Sequence, residues 1–154
     1  MPRPRQRTET GYTYADYQTW NDNERWEIIG GEAWNMSPAP GRTHQTVSRR
    51  MAFEIHALLK DEDCEVFYAP FDVRLAHADS ADQEISDVVQ PDILVVCDPE
   101  KLDERGCKGA PDWIIEITAP KTASRDHIAK RKLYERHGVG AVSYTHLTLP
   151  TNRE

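Results

Sequence analysis

The chain has little of what disulfide-built, zinc-built or membrane proteins need. Only three of its 154 residues are cysteine. Cys64, Cys97 and Cys107 form no CxxC pair and leave an odd count. This argues against a disulfide framework or a zinc ribbon and fits a reducing cytoplasm. No apolar run approaches the roughly 20 residues of a membrane span. The first residues, MPRPRQRTET, lack an apolar stretch, so 1–11 read as a disordered basic arm and not a secretory signal. Six histidines show no HExxH or HxxxH spacing, which disfavours a zinc hydrolase. Positive charge is also short: 19 Lys and Arg against 26 Asp and Glu give a net charge of −7. A sequence-independent nucleic-acid binder is normally basic. Any such contact here has to be local, or shared across an oligomer.

What is present is concentrated in two runs, Val88–Cys97 (VVQPDILVVC) and Asp112–Thr118 (DWIIEIT). Each is apolar, rich in β-branched residues and bounded by turn residues, so each reads as a buried strand. Each also holds a carboxylate, Asp92 behind Pro91 and Glu116 inside its strand. An ionised carboxylate in a buried strand is costly unless it is paired or binds a metal. Two on neighbouring strands read as a divalent-cation site. Downstream, Arg125–Arg136 (RDHIAKRKLYER) has helix-forming composition without Gly or Pro. Asp126, Lys130 and Tyr134 recur every four residues and share one helical face. A strand Asp, a strand Glu and a helix Lys together suit phosphodiester cleavage. The metal holds the phosphate and acidifies a water, while the lysine orients that water or stabilises developing charge. The alternative is an ordinary α/β core with a strand-start Asp, an edge-strand Glu and a solvated helix.

The rest of the chain supplies a frame. Residues 12–20 read as a short aromatic helix or turn, with Asp16 as a cap. Trp26–Met36 reads as a hairpin around Gly30-Gly31. Ser37–Arg42 is a Pro/Gly loop. Thr43–Lys60 follows as a helix whose buried stripe is Val47, Met51, Ile55, Leu58 and Leu59. Val66–Leu75 reads as a strand with Pro70 at an edge or bulge, and Asp72 as structural. Residues 76–87 read as a polar loop, 98–110 as a charged connector with a helical turn, and Gly138 as the cap of the last helix.

The order and spacing of these stretches resemble the restriction endonucleases of the Uma family, a branch of the PD-(D/E)XK nuclease superfamily. The matching stretches are WEIIGGEAWNMSPAPGRTHQ at 26–45, APFDVRL at 69–75, the run 88–120, and RDHIAKRKLYERHGV at 125–139. The resemblance implies an α/β (α+β) restriction-endonuclease-like domain over 12–140, with a mixed central sheet flanked by helices. Pro91-Asp92 matches the PD, and Glu116 matches the (D/E). Thr118 stands where the superfamily lysine would be, and Lys130 on the following helix is the family's match for it. Lys132 faces elsewhere. Glu27 and His44 match further polar positions, and Ala119-Pro120 stands where Ser-Pro is expected.

The implied activity is metal-dependent hydrolysis of DNA in the cytoplasm. Mg²⁺ (or Mn²⁺) would be held by Asp92 and Glu116, with Lys130 stabilising charge, Glu27 as an extra carboxylate and His44 pointing at the site. No membrane is involved, and a homodimer is compatible. The competing function is a nuclease-fold binding module without turnover, favoured by the acidic balance and the missing strand lysine. Hydrolysis of a non-DNA phosphodiester is a third.

The carboxyl terminus departs from the family. After Gly138 the family continues with a strand beginning roughly EYW, whereas this chain reads AVSYTHLTLPTNRE from Ala141. VSYTHLTLPT resembles one reading frame of a transposase-based sequencing adapter. Residues 141–154 are therefore expected to be a non-native tail, with the last core strand missing or replaced. YTHLTL nonetheless alternates like a strand.

Overall fold

The computed structural model describes residues 11–36, 39–118 and 125–146. The basic arm up to residue 10, the Ser37-Pro38 start of the loop, Ala119-Pro120, the Asp126 side chain and the tail from 147 lie outside the described residues.

A short helix α1 (Tyr14–Tyr17) opens the domain. Asp16 caps it by accepting from the Thr13 backbone N–H at 2.8 Å. The hairpin β1 (Trp26–Ile29) and β2 (Glu32–Asn35) follows, with Gly30 and Gly31 at φ +58° and +79°. Only glycine takes that pair of angles without strain. Helix α2 spans Arg42–Leu59. The expected strand 66–75 is divided into β3 (Glu65–Tyr68) and β4 (Val73–Arg74). The expected strand 88–97 is likewise divided, into β5 (Val88–Val89) and β6 (Ile93–Val96). The connector holds a hairpin, β7 (Leu102–Asp103) and β8 (Gly106–Lys108), and then β9 (Trp113–Thr118). Helix α3 (Arg125–Arg136) ends at Gly138, φ +76°, before β10 (Ala141–His146).

Both divisions have one cause. The strands form two mixed sheets, β2-β1-β5-β4-β8-β7 and β10-β9-β6-β3. Each divided run starts in one sheet and finishes in the other. Proline marks both corners, Pro70 and Pro91, where a missing N–H removes a ladder bond.

The second sheet is covered on both faces. On one side Ile93, Val95, Ile115 and Ile117 pack against Ala52 and Ile55 of α2. On the other, Leu94, Val96 and Ile114 pack with Val73, Val89 and Cys107 of the first sheet and with Leu133 and Tyr134 of α3. Burial on both faces explains why β6 reads as an unbroken apolar run.

Two expectations change. Leu58 is 79% exposed, so the stripe of α2 runs through Val47, Met51, Ala52, Ile55 and Leu59 instead. At the place of the last core strand, the residues that stand there form β10, parallel to β9 from Ala141↔Trp113 to His146↔Thr118. The cysteines are not all free: Cys64 and Cys97 form a disulfide. They stand directly beyond the Glu65↔Val96 pair at the end of the β3–β6 ladder. A separation of 33 residues hides that proximity. With this bond formed, the cysteines give no argument for a reducing compartment.

Ile55→Ala should cost about 2–5 kcal/mol by cavity formation, whereas Leu58→Ala should stay within about 0.5 kcal/mol. Urea unfolding of the two variants measures the contrast, and equal losses would return Leu58 to the core.

Candidate active site

The corner between β5 and β6 is Gln90-Pro91-Asp92, where the chain passes from one sheet to the other. Continuing the Ile93↔Ile115 register by one residue sets Asp92 opposite Glu116. Asp92 Oδ2 accepts the Ile117 backbone N–H at 2.7 Å. Its Oδ1 lies 3.2 Å from His44 Nε2, in the first turn of α2. Glu116 is buried and accepts from the Tyr134 hydroxyl at 2.6 Å.

Lys130, one helical turn before Tyr134 on α3, brings its ammonium to the same place. Nζ lies 2.9 Å from Glu27 Oε1 and 3.6 Å from Glu116 Oε1. Glu27 comes from β1 in the other sheet and is buried. Its Oε2 accepts the Gln90 backbone N–H at 2.8 Å.

The five residues singled out in the sequence therefore form one continuous chain of contacts: His44, Asp92, Glu116, Lys130, Glu27. Thr118, in the position of the superfamily lysine, turns to β10 and donates to the Thr145 carbonyl at 3.3 Å. Lys132 is exposed. Asp72 has a structural part, accepting from the Tyr17 hydroxyl and the Gln90 amide, both at 2.8 Å.

Two contributors were not anticipated as site residues. Tyr134 was placed on the right helical face, and its i+4 spacing from Lys130 was the available signal. Gln90 acts on Glu27 through its backbone, which residue type does not reveal. Its side chain also holds the corner, accepting from Arg25 Nε at 2.8 Å.

Three carboxylates surround one lysine, so negative charge is in excess. Burial raises the Glu116 carboxyl above its usual range, and the adjoining Asp92 carboxyl adds to the rise, against the opposing pull of Lys130. Burial raises Glu27 as well. Burial alone would lower Lys130, but Glu116 and Glu27 more than offset it and hold the ammonium protonated above its ordinary value. Among the described residues no group of three or more His, Cys, Asp and Glu side chains is arranged to hold a metal ion. The available set is the Asp92–Glu116 pair. Two carboxylates are enough for Mg²⁺, which keeps several waters.

Residues 14–143 match the profile of the Uma2 family, described as "Putative restriction endonuclease". The chain belongs to the Uma2 family. A similar solved structure is that of "a putative nuclease belonging to DUF820" from Anabaena variabilis ATCC 29413. Identity is 20%, the TM-score is 0.66, and the match covers 88% of the Uma2 chain and 74% of the other. At that identity the likeness shows the fold alone, a mixed α+β arrangement. No match to a curated protein was found. No helix among the described residues is long and apolar enough to cross a membrane.

The raised Glu116 carboxyl carries a sign. Its neutral form is favoured in the folded state, so the metal-free protein loses stability as pH rises from the ordinary 4.5 through the folded value. In EDTA, Glu116→Gln should flatten that fall. The difference is bounded by one proton, about 1.4 kcal/mol per pH unit. Thermal melts between about pH 4 and 8 measure it, and parallel slopes for both proteins would show that Glu116 titrates normally.

Proposed function

We propose that this Uma2 chain is a metal-dependent endonuclease that hydrolyses DNA phosphodiester bonds. The observation that carries the reading is the facing pair Asp92 and Glu116, with Lys130 held 3.6 Å from Glu116 at the seam between the sheets. The donor set fits a hard divalent cation. It is all oxygen, and its two carboxylates press on each other with too little positive charge nearby. Asp92 and Glu116 would hold Mg²⁺ (or Mn²⁺), which when bound supplies Lewis-acid stabilisation of the phosphate and a more acidic water.

The other residues have parts that follow from their contacts. Lys130 keeps its proton at neutral pH, so it acts as a fixed positive charge toward developing phosphate charge and not as a base. Glu27, anchored by the Gln90 N–H, holds the ammonium in place. Tyr134 fixes the orientation of the Glu116 carboxylate. His44 closes the α2 side of Asp92. DNA is the partner in this reading, met by one copy or by a homodimer.

Asp92→Asn keeps an acceptor for the Ile117 N–H while removing the charge. With Mg²⁺ and supercoiled plasmid it should abolish nicking, as should Glu116→Gln. Lys130→Met should slow it about 10²–10³-fold. Gel assays of folded variants test this. Nicking that persists in Asp92→Asn would sink the assignment, and DNA binding without nicking by the unmodified chain would favour the binding-module reading.

The tail belongs to the same proposal: from about residue 141 the chain is read as a non-native continuation. In support, no described residue of β10 is fully buried, while β9 is buried along nearly its whole length. A chain carrying the genomic continuation should be more soluble and protect Val88–Thr118 more strongly from hydrogen exchange. Equal protection and solubility would mean that the present residues are a native strand.

A further inference from the structure

A groove of about 710 Å³ lies between α2 and β3. Its lining includes Arg42, Arg49 and His56, and the aromatic rings of Phe53 and Tyr68. No lining residue is Asp or Glu, although the chain has 26 of them and a net charge of −7. Phe53 is 70% exposed and Tyr68 66% exposed, so both rings present apolar area to water without serving the core.

The groove reaches the site at one end. Arg42 stands two residues before His44 on α2. Tyr68 pairs with Ile93, the residue after Asp92. The next backbone N–H, that of Ala69, donates to the Asp92 carbonyl at 3.0 Å. Local positive charge in an acidic protein, interleaved with exposed rings, is the chemistry that holds a single nucleic-acid strand. Cations track phosphates, and rings stack on unpaired bases. A duplex keeps its bases stacked on one another and offers nothing to Phe53 and Tyr68.

We infer that the α2–β3 groove binds a stretch of single-stranded DNA, stacking bases on Phe53 and Tyr68 and pairing phosphates with Arg42 and Arg49. The groove leads that strand to the Asp92–Glu116 site. This deepens the endonuclease reading and rests on it for the direction of travel. The binding itself stands on the lining.

Fluorescence anisotropy of the full chain with a short fluorescein-labelled oligodeoxythymidine, in Ca²⁺, tests it. Phe53→Ala and Tyr68→Ala should each weaken binding about tenfold or more. Arg49→Ala should weaken it and reduce the salt slope by about one. Leu58→Ala, exposed on the same helix but outside the groove, should change nothing. Melts confirm folding, which the exposure of Phe53 and Tyr68 favours. Unchanged affinity in the Phe53 and Tyr68 variants, no binding by the unmodified chain, or tighter binding of the matching duplex unaffected by Phe53→Ala would each overturn the inference. The two proposals separate cleanly. Groove variants that weaken binding in a chain that never nicks DNA leave the groove standing and remove the endonuclease. Nicking lost in Asp92→Asn, with groove variants silent in binding, does the reverse.

Discussion

One ammonium group ties the layers of this protein together. Lys130 extends from α3 to Glu27 of the first sheet and Glu116 of the second. Its charge opposes the burial that raises both glutamates above their usual range. Breaking such an arrangement by deleting the cation leaves uncompensated buried charge, worth about 3–5 kcal/mol in comparable cases. The compensation is also incomplete, because Asp92 adds a third carboxylate. Three carboxyl groups therefore share one ammonium at the seam.

The position of that seam follows from chain connectivity. The corner Gln90-Pro91-Asp92 carries the backbone between sheets. A residue at such a corner can meet side chains from both. Gln90 uses its backbone to hold Glu27, and its side chain ties the same corner to Arg25 and Asp72. Asp92 faces the second sheet and takes the Ile117 N–H. A carboxylate site is thus built where regular strand pairing is interrupted and backbone groups need other partners. One end of the α2–β3 groove, at Arg42 and Tyr68, lies beside the start of β6.

Much of the candidate site was legible before folding. Asp92 and Glu116 stood out because charge inside apolar runs is costly, and Lys130 because helical period placed it on a defined face. Glu27 was harder, since an alternate residue of a hairpin is usually solvated; here it is buried, with Lys130 of α3 and the Gln90 backbone as its partners. The divided strands were misread because each run is apolar throughout, and an apolar run keeps its pattern whether one sheet or two receive it. Leu58 fitted the helical stripe by period, but α2 rests on the sheet over too narrow a face to cover it. The Cys64–Cys97 bond depends on which residues end opposite one another on β3 and β6, and that register is a property of the pairing.

The sequence by itself determined where the apolar runs and helices lie, the polarity of their faces and the residue types of the candidate site, because burial cost and periodicity are local matters. Tertiary structure alone decided that the strands divide into two sheets and that Glu27 closes on Lys130. It also decided that Gln90 serves through its backbone and that positive charge gathers in one groove of an acidic chain. Those outcomes depend on which surfaces meet across long separations in the chain, and the free energy of such meetings is shared among many residues and carried by no single motif.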